Sequence, residues 1–356
     1  MICNRLPRLR RTAPGIIARV TLAAVMGGQA GCTFLAPSGR PGETSQPRLA
    51  IVDPPRRQGS PLLFLAMPMG PAFQETRKGL IAEVAGSYDV KTFIVTPDTS
   101  LGDFSAALDA ATPACVVLMN NKTARLYRDY QRKRTGRAFA PAVVVMTSFL
   151  EDIQRELERA TGIAYEVPGV TAFVSFRALI KAPVTRVGVL HSPYAKAFVH
   201  RQRLLATKER IELISIELGG DAPTGRDIHG ALYALKRYHQ IDVLWVLNDN
   251  RLLRDARFLR EAWLPAVRSL GVPVVVGAAP LVNPSSPFGT FAVLPDHSAL
   301  GVQAANLIFD LAEDEWRIEN HPVELPLSTV KVLDVPSAKP FRLRSGALNQ
   351  VDRPLE

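Results

Sequence analysis

Short apolar runs alternate with longer amphipathic segments along the chain from residue 62 onward. Runs such as Leu62–Met67 and Cys115–Met119 lack charged side chains, which is typical of strands buried on both faces of a parallel sheet. In the segments between them, apolar residues recur at helical spacing, as Ile228, Leu232 and Leu235 do. This alternation predicts an α/β protein in which helices cover parallel sheets.

The pattern contains two similar rounds of strand and helix, roughly at 61–165 and 184–295. Strands are predicted at 62–67, 90–95, 115–119, 142–146, 186–191, 212–217, 242–247, 272–276 and 289–294. Helices are predicted at 73–85, 101–111, 123–133, 149–160, 193–208, 227–239, 253–270 and 298–312. Residues 162–181 lack a strong helical stripe, and residues 323–327 have an extended pattern. We therefore predict two α/β units, each built on a doubly wound parallel sheet.

The N-terminus has the composition of a targeting segment. Residues 1–32 carry five arginines and no acidic residue, and they end in Gln29-Ala30-Gly31-Cys32 after a weakly apolar stretch. Ala-Gly-Cys is the core of a bacterial lipobox, so we predict a lipoprotein signal peptide at 1–32 with lipidation at Cys32. Cleavage after Ala30 for ordinary secretion and a basic cytoplasmic tail are the alternatives. Residues 33–60 are rich in Pro, Gly, Ser and Arg, which predicts a flexible tether.

Composition and charge exclude several classes of protein. The formal net charge is +10, and loss of the five leader arginines would lower it to +5. A net charge of this size does not indicate a nucleic-acid-binding protein. An apolar content of 47% indicates a folded chain. No uninterrupted run of about 18 apolar residues occurs, which excludes a polytopic membrane protein.

The sequence carries no motif for nucleotide, metal or acyl-transfer chemistry. A P-loop, His-Glu-x-x-His and Gly-x-Ser-x-Gly are missing, and the turn after the first strand lacks the spaced glycines of a dinucleotide site. Cys115 lies in an apolar run, and His191 has no second ligand at metal-binding spacing. We therefore predict no catalytic residue, no metal and no cofactor.

Polar and aromatic side chains collect just after the predicted strands. Ligands of open parallel sheets bind beyond the carboxyl ends of the strands, and two facing sheets form a cleft there. The candidate ligand-binding residues are Phe73, Asn120, Asn121, Thr123, Thr147, Ser148, Phe149, Ser192, Tyr194, Asn248, Asp249, Asn250 and Asp296. For the Asp, Asn and Thr residues among them, capping of the following helix is the competing interpretation, and for the aromatic residues it is core packing.

Four segments in the second half of the chain resemble a known family. They are Arg186-Val187-Gly188-Val189-Leu190-His191-Ser192-Pro193, Ile241-Asp242-Val243-Leu244-Trp245-Val246-Leu247-Asn248-Asp249-Asn250, Val272-Pro273-Val274-Val275-Val276-Gly277 and Asp296-His297-Ser298-Ala299-Leu300-Gly301-Val302-Gln303-Ala304-Ala305. Together they resemble the bacterial ABC-transporter substrate-binding lipoproteins of the tryptophan/tyrosine-binding type. The first unit departs from that family's pattern, since Met146-Thr147-Ser148-Phe149 stands where the family has Val-Thr-Asp-Pro.

The resemblance implies a type I periplasmic-binding-protein fold with a three-segment hinge. Lobe 1 would comprise 61–165 plus 298–315, and lobe 2 would comprise 184–295. The hinge crossovers would lie near 162–183, 286–297 and 315–330, and 316–356 would supply a hinge strand and a C-terminal tail.

The resemblance also implies binding without chemistry. The two lobes would close on a small polar metabolite, such as an amino acid, and the closed form would dock on an ABC permease in the inner membrane. The protein would be a monomer, lipid-anchored on the periplasmic side of a bacterial membrane or secreted there. Asp249 and Asp296 fall at positions that hold the polar or ammonium end of the ligand in such proteins.

Two other functions stay open. One is an orphan ligand-binding or sensor lipoprotein of the same fold, which feeds no transporter. The other is a two-lobed α/β enzyme such as a glycosyltransferase. A secretory leader is unusual for such an enzyme, and the sequence contains no evident acidic metal motif. A two-thiol racemase is excluded because residues 184–295 contain no cysteine. A sugar-repressor-like regulator would need a DNA-binding module where this chain has a leader and a tether.

Overall fold

A computed structural model describes residues 51–134, 136, 138–220, 222–285 and 288–356. The predicted signal peptide, Cys32 and the tether up to residue 50 lie outside the described residues. None of the helices in the described ranges is long and apolar enough to cross a membrane.

Twelve strands of the described chain form two sheets. The strands are β1 Leu62–Met67, β2 Asp89–Ile94, β3 Cys115–Met119, β4 Ala142–Val145, β5 Ala160–Gly162, β6 Arg186–His191, β7 Glu212–Glu217, β8 Val243–Val246, β9 Val274–Val276, β10 Phe291–Pro295, β11 Thr329–Asp334 and β12 Arg353–Leu355. Lobe 1 contains the sheet β2-β1-β3-β4-β5, and lobe 2 contains the sheet β12-β11-β10-β9-β8-β6-β7. Pairing is parallel throughout except between β10 and β11. The predicted pair of parallel α/β sheets is confirmed.

Helices cover both faces of the two sheets. They are α1 Pro71–Val84, α2 Leu101–Ala111, α3 Asn121–Arg132, α4 Leu150–Gln154, α5 Gly169–Leu179, α6 Lys196–Lys208, α7 Gly225–Arg237, α8 Asn250–Leu253, α9 Ala256–Phe258, α10 Leu264–Leu270, α11 His297–Glu313 and α12 Val335–Ala338. Short 3-10 turns lie at Pro193–Ala195, Ala279–Leu281, Ile318–Asn320, Lys339–Phe341 and Ala347–Gln350, and a π-helical turn lies at Leu259–Trp263.

The central strands have continuous apolar runs because each of their faces meets a layer of helices. In β1, Leu63 and Leu65 face one core cluster, while Phe64 and Ala66 face the other, and all four are fully buried. Successive side chains of a strand point to opposite faces, so a strand buried on both sides needs apolar residues at every position. Each large apolar side chain buried in this way stabilises the fold by about 1.5–3 kcal/mol.

Helix α11 joins lobe 1 although the strand before it, β10, belongs to the sheet of lobe 2. It packs on α1 at very short range, since a Cβ on Gly79 would lie 2.1 Å from the carbonyl oxygen of Ser298 and a Cβ on Gly301 would lie 2.0 Å from that of Thr76. The two glycines therefore allow the helix backbones to touch. This contact places residues 297–313 on lobe 1.

The chain passes between the lobes in three short segments: 163–168, 296 and 314–328. They lie side by side, because Ala164 N donates to Glu324 O, Glu324 N donates to Gly162 O, and Asp296 N donates to Ser328 O at 2.9, 2.9 and 3.0 Å. Two of the predicted hinge ranges are too long. The range 162–183 contains α5, whose buried Phe173 and Phe176 pack in lobe 2, and 286–297 contains strand β10.

Other predicted elements also need correction. The helix predicted at 149–160 ends at Gln154, and residues 155–159 form turns that lead into β5 at Ala160. Arg159, with a left-handed backbone at φ 52°, redirects the chain into that strand. The helix predicted at 253–270 is broken after α8, where Arg254 has φ 32°. Residues 323–327 form no strand, only one bridge between Ile163 and Glu324.

The end of the predicted tether is attached to lobe 1. Asp53 binds Arg77 Nη2 at 2.8 Å and accepts a hydrogen bond from Thr92 N at 2.8 Å, and Arg57 N donates to Asp89 at 3.1 Å. The prediction of a flexible tether is therefore wrong for residues 51–60. The predicted C-terminal tail contributes β11 and β12 to the sheet of lobe 2.

Candidate functional site

The candidate site lies where the carboxyl ends of strands from the two lobes meet. The loop after β4 carries Ser148, and the loop after β8 carries Asn248. Asn248 Nδ2 donates to Ser148 Oγ at 3.0 Å, and both side chains are buried. This hydrogen bond joins the two lobes directly, as a shared cleft requires.

Three of the predicted lobe 1 residues organise its loops. Asn121 Nδ2 donates to Ser148 O at 3.1 Å, and Asn121 Oδ1 accepts from Ser148 N at 3.0 Å, so the loops after β3 and β4 are clamped together. Asn120 Oδ1 caps α3 by accepting from Thr123 N at 2.9 Å. Thr147, which is fully buried, donates from Oγ1 to Val145 O at 3.3 Å. These groups hold the shape of the cleft edge through contacts within lobe 1.

The two carboxylates predicted as ligand anchors cap helices. Asp249 Oδ2 accepts from Ser192 N at 2.8 Å, and its Oδ1 accepts from Arg251 N at 3.0 Å. Asp296 Oδ1 accepts from Ser298 N and Ala299 N at 3.0 and 3.1 Å. For both residues the geometry matches the capping interpretation, because a side-chain oxygen bound to the first backbone N–H groups of a helix is an N-cap. Asn250 is the first residue of α8 and is half-buried.

Of the predicted aromatic residues, Phe73 and Phe149 are buried in packing contacts, and Tyr194 is half-buried. Phe149 belongs to lobe 1 but is buried in the lobe 2 core, with its ring centroid 5.6 Å from that of Tyr194 and 5.3 Å from that of Phe198. Phe73 is buried in the core of lobe 1. Burial raises the pKa of Tyr194 to about 12, so this phenol stays protonated at physiological pH.

The cleft contains an acidic residue, Glu166, that the sequence patterns did not single out. Both oxygens of its carboxylate lie 3.1 Å from Phe149 N, which donates to them. Burial raises the pKa of Glu166 to about 7, and the negative charge of Glu151 adds to the shift. Glu166 was missed because its segment, 162–183, is predicted only as a hinge crossover. The available signal was that Glu166 is the one charged residue in the sequence from 160 to 176.

Glu166 lines a small cavity where the first crossover meets lobe 2, which we call the crossover cavity. The cavity has a volume of about 30 Å³ and is walled by Tyr165, Glu166, Val167, Gly169, Ala172, Trp245, Leu247, Asn248, Val276, Gly277, Val293 and Pro295. Such a volume holds about one water-sized group. A larger ligand would therefore have to push the lobes apart or enter when they are separated.

A histidine lies close to this cavity. Tyr165 Oη is 3.2 Å from His297 Nε2, and His297 Nδ1 is 3.5 Å from the Glu75 carboxylate. Burial lowers the pKa of His297 despite this carboxylate. The contacts of His297 with Glu75 and Tyr165 connect α1 and α11 of lobe 1 to the crossover that carries Tyr165 and Glu166.

A second, larger hollow lies beside α6 in lobe 2. It has a volume of about 640 Å³ and includes His191, Tyr194, Lys196 and Arg203. Its cations already have partners, since Lys196 pairs with Glu217 at 3.1 Å and Arg203 donates to Ser215 Oγ at 2.6 Å. The crossover cavity is the stronger candidate because it contains Glu166, a buried carboxyl with a raised pKa, and such groups concentrate at functional sites.

Comparison with known proteins identifies the fold. One similar structure is an ABC domain from Streptococcus pneumoniae, solved in complex with L-Trp. The structural alignment spans 83% of this chain and 100% of that domain, with a TM-score of 0.58 and a sequence identity of 16%. A ligand-free, open substrate-binding protein with adhesive properties from Clostridium difficile covers 83% of this chain, with 99% of its own length covered and a TM-score of 0.62 at 13% identity. The chain has a type I periplasmic-binding-protein fold.

A third structure has the same fold. It is a conserved domain protein from Vibrio cholerae O1 biovar El Tor, which covers 83% of this chain with 100% of its own length covered and a TM-score of 0.57 at 17% identity. No protein-family model matches the chain, and neither does any curated protein. The fold implied by the resemblance is thus confirmed, whereas identities of this size say nothing about the ligand.

Proposed function

We propose that this chain is the extracytoplasmic solute-binding component of an ABC importer, which binds a small polar metabolite between its lobes and releases it unaltered. The observation that carries the proposal is the crossover cavity, which is walled by Tyr165, Glu166 and Val167 of the crossover and by residues of lobe 2, and is bordered by the Ser148–Asn248 hydrogen bond that joins the lobes. A ligand that contacts both lobes favours the closed arrangement over the open one, which is how such a protein reports occupancy to a partner.

The proposal includes a location and a membrane partner. Lipidation at Cys32 would hold the protein on the periplasmic side of a bacterial membrane, and an inner-membrane permease would receive the ligand. Metabolic labelling with a palmitate analogue tests the anchor: label is expected on the native chain and is expected to be lost in Cys32→Ser. Release of the unlabelled native chain into the soluble periplasm would instead identify cleavage after Ala30.

The ligand class is constrained by the size of the cavity. The Streptococcus pneumoniae relative was solved with L-Trp, and an amino acid was our expectation from the sequence. A cavity of about 30 Å³ accommodates no indole ring unless the lobes separate. A ligand smaller than tryptophan fits the observed arrangement better.

A solute screen tests the function. The purified protein is expected to show a raised Tm with one class of small metabolite, since a ligand that binds only the folded form stabilises it. Mass spectrometry of the recovered solute is expected to return it unchanged. Consumption of the solute would contradict the proposal and favour a two-lobed enzyme. Binding without any permease-dependent uptake in cells would favour the orphan sensor.

A further inference from the structure

We propose that the ligand is a small organic cation without a carboxylate, and that Glu166 binds its nitrogen in the crossover cavity. This inference rests on the proposed function, because it names the ligand class of the same site. It differs from the expectation of an amino acid, which carries both charges.

The first argument is the charge of the cavity wall. Among the described residues that line the cavity, Glu166 is the one charged side chain, and none of the others is Lys, Arg or His. A zwitterion would place its carboxylate against apolar side chains or beside the carboxylate of Glu166. Burial of a charge without a partner is costly, so the wall selects against anions and zwitterions.

The second argument is that the Glu166 carboxylate has acceptor capacity left. Its two oxygens share the N–H of Phe149 at 3.1 Å each, and the backbone N–H of Glu166 itself also acts on them, whereas a carboxylate offers about four acceptor sites. The charged neighbour that acts on it, Glu151, is negative and is itself paired with Arg201 at 2.7 Å. A cation from outside the chain would therefore supply the charge compensation that the described residues around Glu166 do not.

The third argument is the chemistry of the remaining wall. Trp245, Leu247, Val276 and Val293 are apolar and buried, and Asn248 adds one polar group. An ammonium next to Glu166 with a short alkyl chain against the apolar residues satisfies both surfaces once the lobes have separated to admit it, because the cavity as observed holds about one water-sized group. The charge-assisted hydrogen bond would be the strong contact, and the alkyl chain would gain from burial.

Calorimetric titration with three isosteric probes tests the inference. n-Propylammonium, 1-propanol and propionate have nearly the same size and differ in charge, and β-alanine adds a carboxylate to the amine. At pH 8, where Glu166 is ionised, only n-propylammonium is expected to bind. Glu166→Gln is expected to weaken its binding at least tenfold, and Glu166→Asp, which keeps the charge, is expected to retain part of it.

A matched control separates this role from a general loss of charge. Glu209→Gln makes the same change on the surface of lobe 2, where Glu209 pairs with Arg177 at 3.2 Å, and it is expected to leave binding unchanged. The groups that act on Glu166 do not obscure the pH dependence: Glu151 is paired with Arg201, and burial raises the pKa of Tyr194 to about 12, so that phenol stays protonated between pH 6 and 8. Binding of n-propylammonium is expected to weaken as the pH falls from 8 to 6, because Glu166 takes up a proton.

Each result decides the question. If 1-propanol, propionate or β-alanine binds as well as the amine, or if Glu166→Gln has no effect, the cation inference is overturned while the proposed solute-binding function stands. If none of these probes binds but the broader solute screen finds another ligand, the inference again falls alone. If no solute of any charge binds or stabilises the protein, both fail together.

Discussion

Asn248 and Ser148 are one hundred positions apart in the chain and form a buried 3.0 Å hydrogen bond that joins the lobes. The lobes are also joined by an ion pair between Glu151 and Arg201. That pair is more than one-third exposed on both sides, so it contributes at most about 0.5 kcal/mol. The buried hydrogen bond contributes about 1 kcal/mol and is therefore the stronger polar link.

We predict that Ser148→Ala favours separation of the lobes. Loss of about 1 kcal/mol changes the ratio of closed to open forms about fivefold. Small-angle X-ray scattering is expected to show a larger radius of gyration for the variant than for the native protein. Ser87→Ala, at an exposed position of lobe 1, is the control and is expected to leave the radius unchanged. Identical scattering curves for native protein and Ser148→Ala would mean that this bond does not hold the lobes together.

Asp249 is predicted to act on stability through its two backbone contacts. Asp249→Ala leaves Ser192 N and Arg251 N without this acceptor, and one of these bonds is fully buried. The free energy of unfolding is expected to fall by about 1–3 kcal/mol. Urea denaturation measures the change. Asp98→Ala, at an exposed loop position, is expected to have an effect within about 0.5 kcal/mol, and an equally small effect of Asp249→Ala would refute the capping role.

Most strands and the larger helices could be predicted from local patterns alone. Strands such as β1 and β3 carry their signal within five or six residues, because burial on both faces demands an unbroken apolar run. The crossovers could not be placed in the same way. Their position depends on contacts such as that of Glu324 with Gly162 and Ala164, which join residues about 160 positions apart.

The meeting of loops from the two lobes was predictable from the sequence, but the contacts of the individual side chains were not. Residues after the strands do meet between the lobes, as Ser148 and Asn248 show. Whether a polar side chain faces a ligand or its own backbone depends on geometry that residue type does not reveal, and Asp249 binds its own helix and a neighbouring loop. The pKa of the Glu166 carboxyl is raised by its surroundings. The residues next to Glu166 in the sequence give no sign that Phe149 and Glu151 lie beside it.

Glu166 is predicted to make stability depend on pH. Its folded-state pKa of about 7 lies above the ordinary value of 4.5, so the folded state binds the proton more tightly than the unfolded state. The resulting stability is present below about pH 4.5 and is lost as the pH rises through 7. Between pH 5 and pH 8 the ligand-free protein is expected to lose about 2 kcal/mol from this group.

The variant Glu166→Gln isolates that contribution. It is expected to be more stable than the native protein at pH 8 and to differ little from it at pH 5, as measured by urea denaturation across the pH range. Glu209→Gln is the control and is expected to keep the native pH dependence. A native-like decline in Glu166→Gln would show that another group causes it.

The contact between α1 and α11 is predicted to tolerate no side chain at Gly301. A Cβ there would lie 2.0 Å from Thr76 O and 2.7 Å from Leu80 N, both backbone atoms. Overpacking of this kind costs about 1–3 kcal/mol or more, so Gly301→Ala is expected to lower the Tm or prevent folding.

Gly230→Ala provides a matched test in helix α7, where nothing lies within 4 Å of the new Cβ. Because alanine is a better helix former than glycine, that variant is expected to be more stable by about 0.5–1 kcal/mol. Equal effects of the two substitutions would contradict the close approach of α1 and α11.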